Sequence, residues 1–160
     1  MRERHERRWQ GLTLVELMLV MALISILAAG ALPFVHHHYL RMKEVELKRT
    51  LSTLRDAIDR YHEYAVLGQI EPWDLSWNMY PKNLDMLVDG VDVRSSADQP
   101  PSKVKFLRGI PVDPMTGQAE WNCRGYRDDA DTRSSSCDDL YDIFSTSPNQ
   151  ALDGSYYKDW

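Results

Sequence analysis

From Leu12 to Val35 the chain carries a single formally charged residue, Glu16, and this stretch limits the possible folds more than any other. Twenty-four residues rising about 1.5 Å each make a helix of roughly 36 Å, enough for a hydrocarbon core of about 30 Å. A lone carboxylate in such a segment costs about 2.5–3.5 kcal/mol at a bilayer centre and less toward an interface, so Glu16 requires a nearby cation. A backbone cut between Gly11 and Leu12 supplies one, a free α-amine four residues before the carboxylate. Residues 1–11 hold Arg2, Arg4, Arg7 and Arg8 against Glu3 and Glu6 and read as a basic leader, not as folded structure. The arginines place the N-terminus in the cytoplasm and everything after Pro33 on the far side of the membrane. A rival cut at Ala29-Gly30-Ala31, of the ordinary secretory form, would remove the whole apolar run, but Glu16 is out of place in a secretory signal.

The order of these features carries a family likeness. A short basic leader, Gly11, apolar Leu12, Thr13, two aliphatic residues and Glu16, opening a long apolar helix interrupted by Pro33, resembles the processing motif of type IV pilins and type II secretion pseudopilins. The resemblance implies cleavage after Gly11 by a prepilin peptidase and methyltransferase, N-methylation of Leu12, and assembly roles for Thr13, Glu16 and Pro33. Leu12 stands where the family more often has Phe.

Beyond Val35 the pattern stays helical. Leu40, Leu47, Leu51, Leu54, Ile58, Tyr61 and Ala65 draw one apolar stripe on a helix expected to run to Leu67, where Gly68 supplies a stop. Glu44 with Lys48 and Asp56 with Arg60 are spaced for i,i+4 ion pairs. Pro33 is expected to kink or loosen the helix, since it removes one hydrogen bond and crowds the carbonyl four residues back. The chain thus divides into a cleaved leader (1–11), a transmembrane or filament-core helix (12–35), an amphipathic helical half (36–67) and a globular part (68–160).

In the globular part, Leu84, Leu87 and Val88 suggest a short helix, residues 91–103 a loop, and Asp113-Pro114 a type I turn closed by Gly117. Ala119–Trp121, Leu140–Ser145 and Ser155–Trp160 are short and aromatic-rich, and predict a three-stranded antiparallel sheet packed on the helical stripe, an α+β fold. Cys123 and Cys137 are the chain's two cysteines. In a translocated domain such a pair favours a disulfide, worth about 3 kcal/mol for a loop of this size, over two free thiols. Tyr80-Pro81, the run Phe106–Pro114, Gly117 and the run Tyr141–Ser145 extend the likeness, most closely to the major pseudopilins of type II secretion, general secretion pathway protein G. The loop before Tyr80 is long for that family, and Thr146–Gly154 offers one carboxylate, Asp153, where the family has an acidic calcium-binding loop.

Chemistry-bearing clusters have plain readings. His36, His37 and His38 fan out over about 200° of a helix and cannot converge on one metal ion within a single chain. Asp128, Asp129, Asp131, Asp138, Asp139 and Asp142, with Asp153 further on, could supply oxygens to calcium but lack the D-x-D-x-D-G spacing, so no cofactor is expected. His62, on the helical half, is the only histidine of the expected folded domain, and Ser134, Ser135 and Ser136 have no strand-turn-helix elbow, so no catalytic residues and no enzyme activity are expected. Removing the leader takes the formal charge from −5 to −7, which disfavours nucleic acid. The expected function is structural: a single-pass inner-membrane protein that joins a helical homopolymer. As the resemblance implies, its partners are other copies of itself, minor pseudopilins, the peptidase, the inner-membrane assembly platform and membrane lipid. The alternatives are a type IV pilus subunit and, more weakly, a membrane-anchored recognition module or enzyme.

Overall fold

The computed structural model describes residues 13–74, 78–94, 100–129 and 139–160, and of residues 31–36 the backbone alone. One helix, α1, runs from Leu14 to Val66 without a break at Pro33. Its first turn is capped by Thr13, whose Oγ1 accepts from the Glu16 amide at 3.2 Å. Its end is closed as expected: Gly68 adopts φ 70°, its amide donates to the Ala65 carbonyl, and the Gln69 amide donates to that of Tyr64. Packing divides the chain between Tyr39 and Leu40 into two units, each described by itself below.

In the second unit the stripe of α1 forms the core floor. Leu47, Leu51, Leu54, Ile58, Tyr61 and Ala65 are buried, and Leu40 is half-buried. The short helix appears as α2, Leu84–Asp89, started by Asn83, whose side chain accepts from the Met86 amide. It stops at Gly90, where a Cβ would sit 2.7 Å from the Val104 carbonyl oxygen, so the backbone at Val104 can approach only because glycine stands there.

The strands differ from expectation in two ways. Residues 91–103 are not a simple loop: β1 (Val91–Val93) pairs antiparallel with β2 (Ser102–Val104), with Val91 opposite Val104, and Val93 is buried. Three-residue strands are too short for alternation to reveal them. The expected three-stranded sheet is instead a second two-stranded one, β3 (Trp121–Gly125) with β4 (Leu140–Ser145), with a register shift between Arg124 and Gly125. Ser155–Trp160 makes one isolated bridge, Gln150 with Tyr156, and then a 3-10 turn over Tyr157–Asp159. Tertiary partners on α1 claim that segment. The Tyr157 hydroxyl donates to Glu44 Oε1 at 3.1 Å, and Arg55 Nη2 donates to the Trp160 carbonyl at 2.8 Å.

The same partners replace the expected i,i+4 pairs. Glu44 accepts from the Leu152 amide and the Tyr157 hydroxyl, and Lys48 lies 4.2 Å from the centre of the Trp160 ring. Arg60 donates to the carbonyls of Asp56 and Phe106. An exposed helical ion pair is worth only about 0.3–0.5 kcal/mol, so partly buried tertiary bonds outcompete it. The turn after Asp113 is also wider than type I: the Asp113 carbonyl accepts from Gly117, four residues on, where φ is 75°.

Tyr61 sits fully buried against Phe106, ring centroids 5.6 Å apart, and its hydroxyl has no partner among the described residues. Burial pushes its pKa up to about 12. Tyr61→Phe is therefore expected to raise stability by about 1 kcal/mol, since it removes an unsatisfied polar group and keeps the ring. A thermal melt of the full chain in detergent checks this, and a clear loss would reveal a partner for the hydroxyl.

Candidate functional site

Among the described residues, those of the first unit present an exposed apolar surface. Along the N-terminal half of α1 the large apolar side chains are exposed on every side, from Leu14 at 72% to Leu27 at 74%, and even Val20 at 43%. A helix that is apolar all round is stable only when another apolar phase surrounds it. Its one hydroxyl in this run, Ser25, is satisfied inside the helix by donating to the Met21 carbonyl at 2.8 Å. Among the described residues no helix is long and apolar enough to cross a membrane. The part of the run described with its side chains, Leu14 to Gly30, is seventeen residues long, about 26 Å of rise against the roughly 20 residues a span needs. The side chains of residues 31–35, Pro33 among them, lie outside what the structure describes, as does the cleavage site at Gly11 and Leu12.

Glu16 is the third residue of α1 and is exposed. Thr13 and Glu16 stand at the spacing of a helix-capping pair, a signal present in the sequence whose consequence is local: the Thr13 hydroxyl fixes the amide of Glu16. The carboxylate thereby sits in the first turn, at the positive end of the helix, where a negative charge is favoured. An exposed carboxylate at the head of an uncovered apolar helix can receive a cation from outside this chain.

The globular unit holds the residues that sequence reasoning treated only as turn or surface. Asp113 is fully buried, and its carboxylate accepts from Ser145 Oγ at 2.6 Å and from the Met115 amide at 2.7 Å. Ser145 Oγ in turn accepts from the Ser147 amide. This web ties the turn after Pro111 to the end of β4. Arg55 makes a second tie, with Nε donating to Asp142 Oδ1 at 2.7 Å and Nη2 to the carbonyls of Ile143 and Trp160.

The other candidates are engaged structurally. His62 stacks on Tyr80 at 4.1 Å, and its Nδ1 lies 3.0 Å from the Met79 carbonyl, bracing a non-glycine residue at φ 68°. His37 and His38 are exposed, and the His36 side chain lies outside the described residues. Asp128 accepts from the Gly125 amide and Asp139 from the Asn78 side chain, while Asp129 is exposed. Asp153 accepts from the amide and hydroxyl of Ser155, bonds that hold its carboxyl below the usual range. Asp131 and Asp138 lie outside the described residues, and among the described ones no group of three or more His, Cys, Asp or Glu is placed to hold a metal. Cys123 is buried on β3 and is not a free thiol, whereas Cys137 lies outside the described residues. A Cys123–Cys137 bridge is the expected result of non-reducing peptide mapping, and full alkylation without reductant would exclude it.

Comparison with known proteins bears on the N-terminal segment first. The family described as "Prokaryotic N-terminal methylation motif" matches residues 10–32. The chain is 35% identical over 104 residues to "Type IV major pilin protein PilA" of Myxococcus xanthus (strain DK1622), a match covering 61% of this chain and 46% of the relative. The aligned part thus spans about half the length of that curated relative. No solved structure matches. A capped Glu16 at the head of an exposed apolar helix lies inside the methylation-motif match, and with the pilin relative it makes this chain similar to the type IV pilin and pseudopilin superfamily.

Proposed function

We propose that this chain is a structural subunit of a periplasmic pseudopilus of a type II secretion system. In this reading it is cut after Gly11, methylated on Leu12, held in the inner membrane by its N-terminal helix and then assembled through that helix to drive protein secretion. The observation that carries the reading is the uncovered apolar half of α1 with Glu16 in its first turn. A filament core of like helices covers the apolar side chains and brings a neighbour's α-amine to the carboxylate. The succession Tyr80-Pro81, Phe106 to Pro114 and Tyr141 to Ser145 favours the secretion pseudopilus. The pilin relative favours a second reading, a type IV pilus subunit acting outside the cell. Neither reading assigns catalysis, a cofactor or nucleic-acid binding to this chain.

Two measurements test this. Intact mass of the chain from membranes is expected to show loss of residues 1–11 and gain of one methyl group; a start at Leu32 would sink the processing assignment. Deletion in the source cell separates the filaments. Loss of secreted protein with unchanged surface fibres supports the pseudopilus, and loss of surface fibres with normal secretion supports the pilus.

A further inference from the structure

Exposed apolar side chains gather at the end of the second unit that is tied to the apolar run. This unit begins at Leu40, five residues after Val35, where the run stops. A tether of that length spans at most about 18 Å even when fully extended, so residues 40–45 stay close to the end of the run whatever holds it. On this first stretch Arg41, Met42 and Val45 are exposed.

A segment distant in sequence is pinned beside them. Glu44 Oε1 accepts from the Leu152 amide at 2.7 Å and from the Tyr157 hydroxyl at 3.1 Å. Around the first of these bonds the chain makes a tight hairpin: Gln150 bridges Tyr156, the Ala151 amide donates to the Ser155 carbonyl, and Gly154 takes φ 85°. The hairpin presents Leu152 and Tyr156, both exposed, with Lys158 Nζ 4.7 Å from the centre of the Tyr156 ring. Its one carboxylate, Asp153, is satisfied by the amide and hydroxyl of Ser155. Glu46 falls about 200° round the helix from Glu44 and so points away from the hairpin.

Scattered exposed apolar residues are ordinary and name no partner. Here the tether names one. With the 12–35 run held in a bilayer, this end of the unit stays within reach of the headgroups, a layer of about 5–8 Å on each face. About 36 Å of run against a core of about 30 Å also leaves room for the chain to settle deeper. An exposed leucine and tyrosine flanked by arginine and lysine suit that layer, because the ring sits at headgroup level and the long basic side chains reach phosphates.

We infer that in the membrane-held subunit this end of the globular unit docks on the phospholipid surface, with Leu152 and Tyr156 in the headgroup layer and Arg41 and Lys158 at lipid phosphates. Glu44 is the positioning residue that fixes the hairpin for this contact. The inference rests on the membrane-held step of the function proposed above, and adds a lipid contact outside the apolar run.

The test uses the full-length chain in nanodiscs of phosphatidylethanolamine and phosphatidylglycerol. A fluorophore is attached without reductant to one introduced cysteine at a time, and its quenching by headgroup spin-labelled lipid is read. The reference is Val66, exposed at the far end of α1, about 33 Å of helix rise from Glu44. Leu152→Cys is expected to be quenched at least about threefold more than Val66→Cys, and equal quenching overturns the inference. Adding Tyr156→Asp and Arg41→Glu, both at exposed positions, is expected to lower the Leu152→Cys signal about twofold or more. An unchanged signal means that the tether alone brings the hairpin to the bilayer, and overturns the docking while leaving the membrane-held step standing. Ile24→Cys, inside the apolar run, is expected to be quenched by acyl-chain spin labels; its escape from quenching removes the membrane-held step itself, and the inference with it.

Discussion

Glu16→Ala is expected to be cleaved after Gly11 and to reside in the membrane, yet to be lost from sheared filaments or to fail in secretion when it is the only copy. The sign of this effect separates two physical situations. In a plain membrane anchor the carboxylate is a liability, and removing it makes the apolar segment cheaper to insert. In a helix bundle it faces a neighbour's α-amine in a low dielectric, and removing it leaves that amine buried without a partner, at about 3–5 kcal/mol. The Thr13 cap holds the Glu16 amide in the first turn, so the substitution takes away the charge and leaves the backbone in place. Co-expression with wild type is expected to be partly inhibitory, because a defective subunit still docks through its other surfaces and stalls the polymer. Wild-type assembly and function of Glu16→Ala would make the helix an anchor only.

Asp113→Ala is expected to destabilise the globular unit by about 3–5 kcal/mol. Two donors lose a charged acceptor in a fully buried site, Ser145 Oγ and the Met115 amide. Bonds to charged groups are worth about 1.5–3 kcal/mol each, and an orphaned buried donor costs about 1–3. Against a total stability of about 5–15 kcal/mol, this is a large fraction. Asp113→Asn keeps an acceptor oxygen and is expected to lose about half as much. Urea unfolding of the full chain in detergent measures both, and an Asp113→Ala midpoint equal to wild type would show that the web contributes nothing.

The sequence and the structure divide the protein between them along physical lines. The sequence alone reveals the long helix, its buried stripe, the stop at Gly68, the short helix α2 and the motif from Gly11 to Glu16, because periodicity, capping and the cost of a charge in an apolar run are local properties. The Thr13 cap of Glu16 is seen only in the structure, although its threonine-to-glutamate spacing is a local signal too. What sequence could not decide is where each short segment of the C-terminal third finds its partners. Ser155–Trp160 has the composition of a strand, but Glu44 and Arg55, more than a hundred residues earlier, draw Tyr157 and Trp160 onto the helix. Asp113 reads as a turn residue until β4 brings Ser145 to it. These outcomes depend on bonds between positions far apart in the chain, and their free energies exceed local preferences of a few tenths of a kcal/mol only once the core has closed around them.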